Sequence, residues 1–249
     1  MLLVWFPAIS HTAKVIMNKY LEKLASDSTK DSPGYGLATA GAIGTGVLTD
    51  VLAYPLQLAS YKHLLTQHEN PSSSNIGDGS TAKKFIEEHG LNLDINHDAS
   101  NKGPHFRPLR KSQLGTDAKA YLQGSHNHGI MMHELGHALD FKHKSMEGLV
   151  AKRFGSGVVG LGVTIHGVKN GNAGEAASGM GLMSAHKLLG EAVANKHAYS
   201  AFKKHEGSVV ANKFLRKIVL PNTINYHSPV IAGALGAAAL TKYLHRNDK

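Results

Sequence analysis

The chain reads as a mainly helical α+β protein, and three observations carry that reading. Apolar residues recur at helical spacing in several stretches, the longest being "GLMSAHKLLGEAVANKHAYSAFKKH" at 181–205. A strand-like run is read only in the short "KAYLQG" at 119–124. That run is followed at once by "NHGIMMHELGHALDFKH" at 127–143, where Ile130, Met131, Leu135 and Leu139 trace one face of a helix.

The 249 residues, 42% of them hydrophobic, suffice for one good-sized core or one domain with an appendage. Three regions are expected: an N-terminal amphipathic and apolar helical region (1–70), a central domain (71–227) and a C-terminal apolar helix (228–249). The opening "MLLVWFPAI" has no basic flank and contains Pro7, so it makes a poor secretory signal. Val15, Ile16, Tyr20 and Leu24 then predict an amphipathic helix, packed on the core or lying on a membrane with Trp5 and Phe6 as anchors.

Residues 36–61 form a long, weakly polar stretch, enough at ~1.5 Å per residue to cross a bilayer core of ~30 Å. Asp50 near its middle opposes insertion, and the balance falls on a soluble or peripheral segment. "ENPSSSNIGDGS" at 69–80 reads as a linker, and "TAKKFIEEHG" as a helix ended by Gly90. The segment from Leu91 to Gly124 is mixed. After the 129–141 helix, "FGSGVVGLGVTIHGVKNGNAGE" at 154–175 is an apolar, glycine-rich segment, followed by the long helix-like run at 181–205. "SPVIAGALGAAALTKYLHR" at 228–246 is an apolar small-residue helix, short for a membrane span.

The chain has no cysteine, which excludes disulfides, thiolate metal sites and a cysteine nucleophile. Its net charge of +9 favours anionic surfaces, including a membrane. The basic residues are scattered, however, and no nucleic-acid motif accompanies them, so specific nucleic-acid binding is not expected.

The chemistry is concentrated in His133-Glu134-Leu135-Gly136-His137. Two histidines four apart on a helix project from one face and can reach one ion. The glutamate after the first lies beside that face and can take a proton from water. Zinc in a catalytic site takes three protein ligands and a water, so a third ligand is needed. Gly136 is read as giving room beside the metal.

With "HELGHALD" the sequence resembles the zincin metallopeptidases, over roughly residues 115–205. The resemblance implies a zincin-like core, a zinc ion and a peptide or protein substrate. Two third ligands are open. His143 fits the metzincin spacing, although Asp140 stands where that pattern has glycine. Glu191, followed four residues later by Asn195, is similar to the gluzincin arrangement and is the preferred choice. Asn195 would orient a ligand histidine, as an aspartate does in many gluzincins. Asp140 would then belong to a helix that continues past the second histidine, as in lethal-factor-like gluzincins. HELGH, an apolar excursion and "EAVANKHA" also look like the membrane peptidases of the CAAX prenyl and heat-shock type.

The resemblance implies that His133, His137 and Glu191 hold zinc and that Glu134 is the general base. Tyr199, His205, Tyr226 and His227 are candidates to stabilise the oxyanion, with Tyr226 and His227 in "NTINYHSP" preferred. The expected function is a zinc-dependent endopeptidase. The alternative is a non-catalytic, membrane-associated or structural assembly protein with a metal-stabilised HELGH helix. Glu134 separates the two, because a structural zinc site has no need of it.

Overall fold

The computed structural model describes Leu58, residues 76–96 and residues 104–246. Apart from Leu58, the N-terminal region of residues 1–70, with its amphipathic helix and the apolar stretch 36–61, lies outside the described residues.

As the periodicity predicts, the described chain is mainly helical with one small sheet. In order it forms α1 (Ser80–His89), β1 (Leu93–Asn96), β2 (His105–Arg107), a 3₁₀ turn (Lys111–Gln113), β3 (Ala120–Gln123) and α2 (His128–Asp140). There follow α3 (Met146–Lys169), α4 (Ala173–His205), α5 (Ser208–Phe214), one π-helical turn (Leu215–Val219) and α6 (Leu220–Leu244). The chain groups into two compact units.

The described residues within 76–155 and 184–228 make up the first unit. Its sheet has the order β1-β3-β2, with β1 parallel and β2 antiparallel to the central strand. Leu122 on β3 is fully buried and meets Ile95 on one side and Phe106 on the other. Strands this short carry too few residues to display a period of two, which is why the sequence from Leu91 to Gly124 looks mixed. Helix α1 buries Phe85 and stops at Gly90, whose φ of 53° is a left-handed value that glycine adopts without a Cβ penalty.

Two polar residues turn the chain from β3 into α2. The Asn127 side-chain oxygen accepts from the N–H groups of Gly129 (3.0 Å) and Ile130 (3.2 Å). Its own N–H donates to Ser125 Oγ (3.1 Å). This cap satisfies two of the four free donors of the helix start. Helix α2 is buried almost all round: Gly129 through Gly136 and Ala138 are all buried. A core of Leu122, Met132, Leu135, Phe202, Phe214 and Ile218 surrounds it, with the Phe202 and Phe214 rings 5.3 Å apart. A helix so enclosed can hold His133 and Glu134 only if their polar atoms find partners.

The second unit contains residues 156–183 and the described part of 229–249. The glycine-rich segment, to which the sequence assigned no element, is helical: α3 runs through it to Lys169, and α4 starts at Ala173 after a turn at Gly171 (φ 70°). Glycine costs about 1 kcal/mol against alanine inside a helix, so helix propensity alone does not favour this run. Close packing offsets that cost. A Cβ at Gly160 would strike Met183 and Gly179, and one at Gly167 would strike Ala176. The two helices touch through their backbones there. Val168, Ala176, Met180 and Ala237 form the small core of this unit. The apolar C-terminal segment is the second half of α6, a 25-residue helix that passes through Pro229.

Among the described residues, α3 is the one helix long and apolar enough, by length and composition, to cross a membrane.

Candidate metal centre

Helix α2 and the part of α4 from Ser184 onward, both in the first unit, build the site. On α4, Glu191, Asn195, Ala198 and Phe202 follow the spacing i, i+4, i+7 and i+11, one face of a helix. Ala198 and Phe202 are fully buried in the core, so the same face carries Glu191 and Asn195 to α2. Gly136 permits the approach: a Cβ there would run into the backbone carbonyl of Ala194. The glycine therefore serves helix packing rather than space beside an ion, as the sequence had suggested. Gly136→Ala should lower stability by about 1–3 kcal/mol through overpacking, read as a fall in the thermal midpoint. An unchanged midpoint would show that the two helices do not need this clearance.

Glu191 Oε2 lies 3.2 Å from His133 Nε2 and 3.6 Å from His137 Nε2. The three ligand atoms fall within 4.8 Å of one another. The imidazole rings stand edge to face with centroids 4.8 Å apart. His133 Nδ1 is 2.8 Å from the Asn195 side-chain oxygen. An amide oxygen can only accept, so Nδ1 carries the hydrogen, and in the neutral ring Nε2 presents a lone pair to the centre. All three groups are largely buried, with side-chain exposures of 5%, 17% and 15% for His133, His137 and Glu191.

This arrangement fits a cation. With His133 neutral, its Nε2 has no hydrogen to give, and Glu191 Oε2 is a buried oxygen without a hydrogen-bond donor. Such an atom is costly unless a proton or a metal ion supplies the missing charge. Tetrahedral ligands about 2.0–2.1 Å from a common ion lie roughly 3.3 Å apart, close to the two separations seen. The group can hold a metal ion.

Burial pulls the Glu191 carboxyl upward, but the His133 and His137 rings beside it, when they carry a proton, outweigh that and bring it to about 2. Glu191 is therefore a carboxylate at neutral pH. Burial lowers the His133 imidazole, and Glu191, Glu134 and Asn195 together overturn that and raise it. Protons thus compete with a metal ion for this ring, which is expected of a ligand set built around negative charge.

The remaining predicted residues are distributed as follows. Glu134 is buried on α2, close enough for its charge to act on both His133 and Tyr226. Asp140 pairs with Lys144 at the end of α2. His143 is exposed on the turn after α2 and lines a separate cavity with Phe106, Leu109 and Phe141; it is not one of the three converging ligands. His205 approaches Glu88 of α1 at 3.4 Å.

Tyr199, Tyr226 and His227 line a cavity of about 400 Å³ that opens onto Glu191 and Asn195. Leu188, Leu215 and Val219 give it apolar walls. Burial, followed by the negative charges of Glu191 and Glu134, raises the Tyr226 phenol, so it keeps its proton. His227 Nδ1 lies 2.9 Å from the Thr223 carbonyl. Lys187, which sequence reasoning passed over, sits with its ammonium 4.5 Å from the centre of the Tyr226 ring. Its one available signal was its place a single helical turn before Glu191.

A scan against family models finds no match, and searches of curated proteins and solved structures find no significant one.

Proposed function

We propose that this chain is a zinc-dependent endopeptidase with a zincin-like core of the gluzincin type. The observation that carries the reading is the convergence of His133, His137 and Glu191, with Asn195 fixing the tautomer of His133. Two imidazoles and a carboxylate are a donor set that suits zinc and leaves a coordination position open. Bound there, zinc supplies Lewis acidity and lowers the pKa of water towards about 7.

The chain's own residues do the rest. Glu134 takes a proton from the attacking water on its carboxylate and returns it to the nitrogen of the leaving amine. Asn195 holds the His133 ring so that its lone pair stays directed at the centre. The Tyr226 hydroxyl, kept protonated, donates to the oxygen of the peptide carbonyl as negative charge develops on it. In the neutral His227 ring the Nδ1 hydrogen is directed at Thr223, so Nε2 is an acceptor there. Tyr226 is thus the better donor of the two.

Cleavage of casein or a quenched-peptide library should cease on treatment with a chelator and return when zinc is added back. A chain that retains zinc and cleaves no peptide would overturn the assignment in favour of the non-catalytic reading.

A further inference from the structure

We propose that residues 154–168 of α3 are embedded in a lipid bilayer, with Arg153 and Lys169 at its two headgroup layers. This rests on α3 alone, not on the metal centre.

The outward side of α3 is unlike that of a helix in water. Phe154 is 74% exposed, Val158 53% and Val159 58%, and Gly155 and Gly162 meet no neighbouring atom where a side chain would be. From Phe154 to Val168 there is no Asp, Glu, Lys or Arg, and only Ser156, Thr164 and His166 are polar, the His166 ring meeting Glu175 of α4 at 2.8 Å. A solvent-facing helix normally carries charged or long polar side chains on its free face. Valine and glycine are also poor helix formers, and in water nothing on that face compensates for them. Only 11% of the most apolar window of α3 is buried by protein. Hydrocarbon is the surrounding in which such a face is stable, since it penalises any backbone that is not hydrogen-bonded and so favours the helix.

The buried side of the same segment agrees. Thr164, fully buried, donates its hydroxyl to the Gly160 carbonyl at 2.9 Å, one turn back in its own helix. Gly160 and Gly167 face Gly179 and Ala176 at backbone contact, the small-residue packing by which helices associate without a hydrophobic driving force. Basic residues flank the segment: Lys152 and Arg153 before it, both exposed, and the half-buried Lys169 after it. From Arg153 to Lys169 the axial rise is about 24 Å against a hydrocarbon core of ~30 Å, and the long basic side chains make up the remainder by reaching outward to the phosphates. Cationic ends meet the anionic headgroups of a bilayer.

The absence of native cysteine makes the test direct. Single variants Val158→Cys, Gly162→Cys and, as an exposed control, Lys144→Cys would be prepared in the full-length chain. Each is reconstituted into phosphatidylcholine/phosphatidylglycerol vesicles and treated with a membrane-impermeant maleimide. The Val158→Cys and Gly162→Cys thiols should react at least about tenfold more slowly than the control, because a thiol in hydrocarbon does not ionise. Unfolding the chain in hot sodium dodecyl sulfate should abolish the difference. Equal labelling in vesicles would overturn the proposal. So would a monodisperse chain that stays out of the vesicles.

Discussion

Glu134→Gln should reduce peptide hydrolysis by about 10²–10⁴-fold, the usual contribution of a positioned general base. The amide matches the carboxylate in size and shape but cannot take a proton from water. Glu134 is buried on a helix whose other inward residues form the core, so the substitution changes little in packing. It also removes one negative charge from a buried site that already holds Glu191. The folded chain should therefore persist, with one zinc per molecule by mass spectrometry. Loss of turnover with metal and melting behaviour intact places the effect in proton transfer. Turnover equal to that of the parent would sink the peptidase assignment, whatever the chain binds.

Glu191→Gln should weaken zinc binding more than any other single change outside the two histidines. With the carboxylate, two neutral imidazoles and the ion leave a net charge of +1; with the amide, +2 remains in a largely buried site. An amide oxygen is also the poorer donor to zinc. Asn195→Ala should have an intermediate effect, about 10–100-fold, since it releases the His133 ring without removing a ligand. His143→Ala should leave affinity unchanged, because that ring is exposed and lies outside the converging group. Titrations of the three variants against a zinc-sensitive chelator dye give the ranking. The reverse order, with His143 essential and Glu191 dispensable, would refute the ligand set proposed here.

These two expectations differ in where they come from. The His133-Glu134-x-x-His137 arrangement is local: a helix alone places two imidazoles one turn apart, so the sequence suffices to pair them. The helix end at Gly90 and the strand before α2 are local in the same sense. The third ligand is not. Glu191 and His143 both satisfy a spacing, and spacing cannot say which one meets the histidines. Their choice depends on the crossing of α2 and α4, where Gly136 lies against Ala194, and on Ala198 and Phe202, whose burial turns one face of α4 inward.

The helical state of the glycine-rich run at 154–175 was not legible in the sequence for a related reason. Helix propensity counts the cost of each glycine, and only the partner helix, close enough for Gly160 and Gly167 to touch Gly179 and Ala176, makes that cost worthwhile. Residues within one or two turns of each other obey rules of local geometry, and these the sequence determines by itself. Residues brought together from separate helices obey the shape and packing of the surfaces between them, and these only the tertiary structure decides.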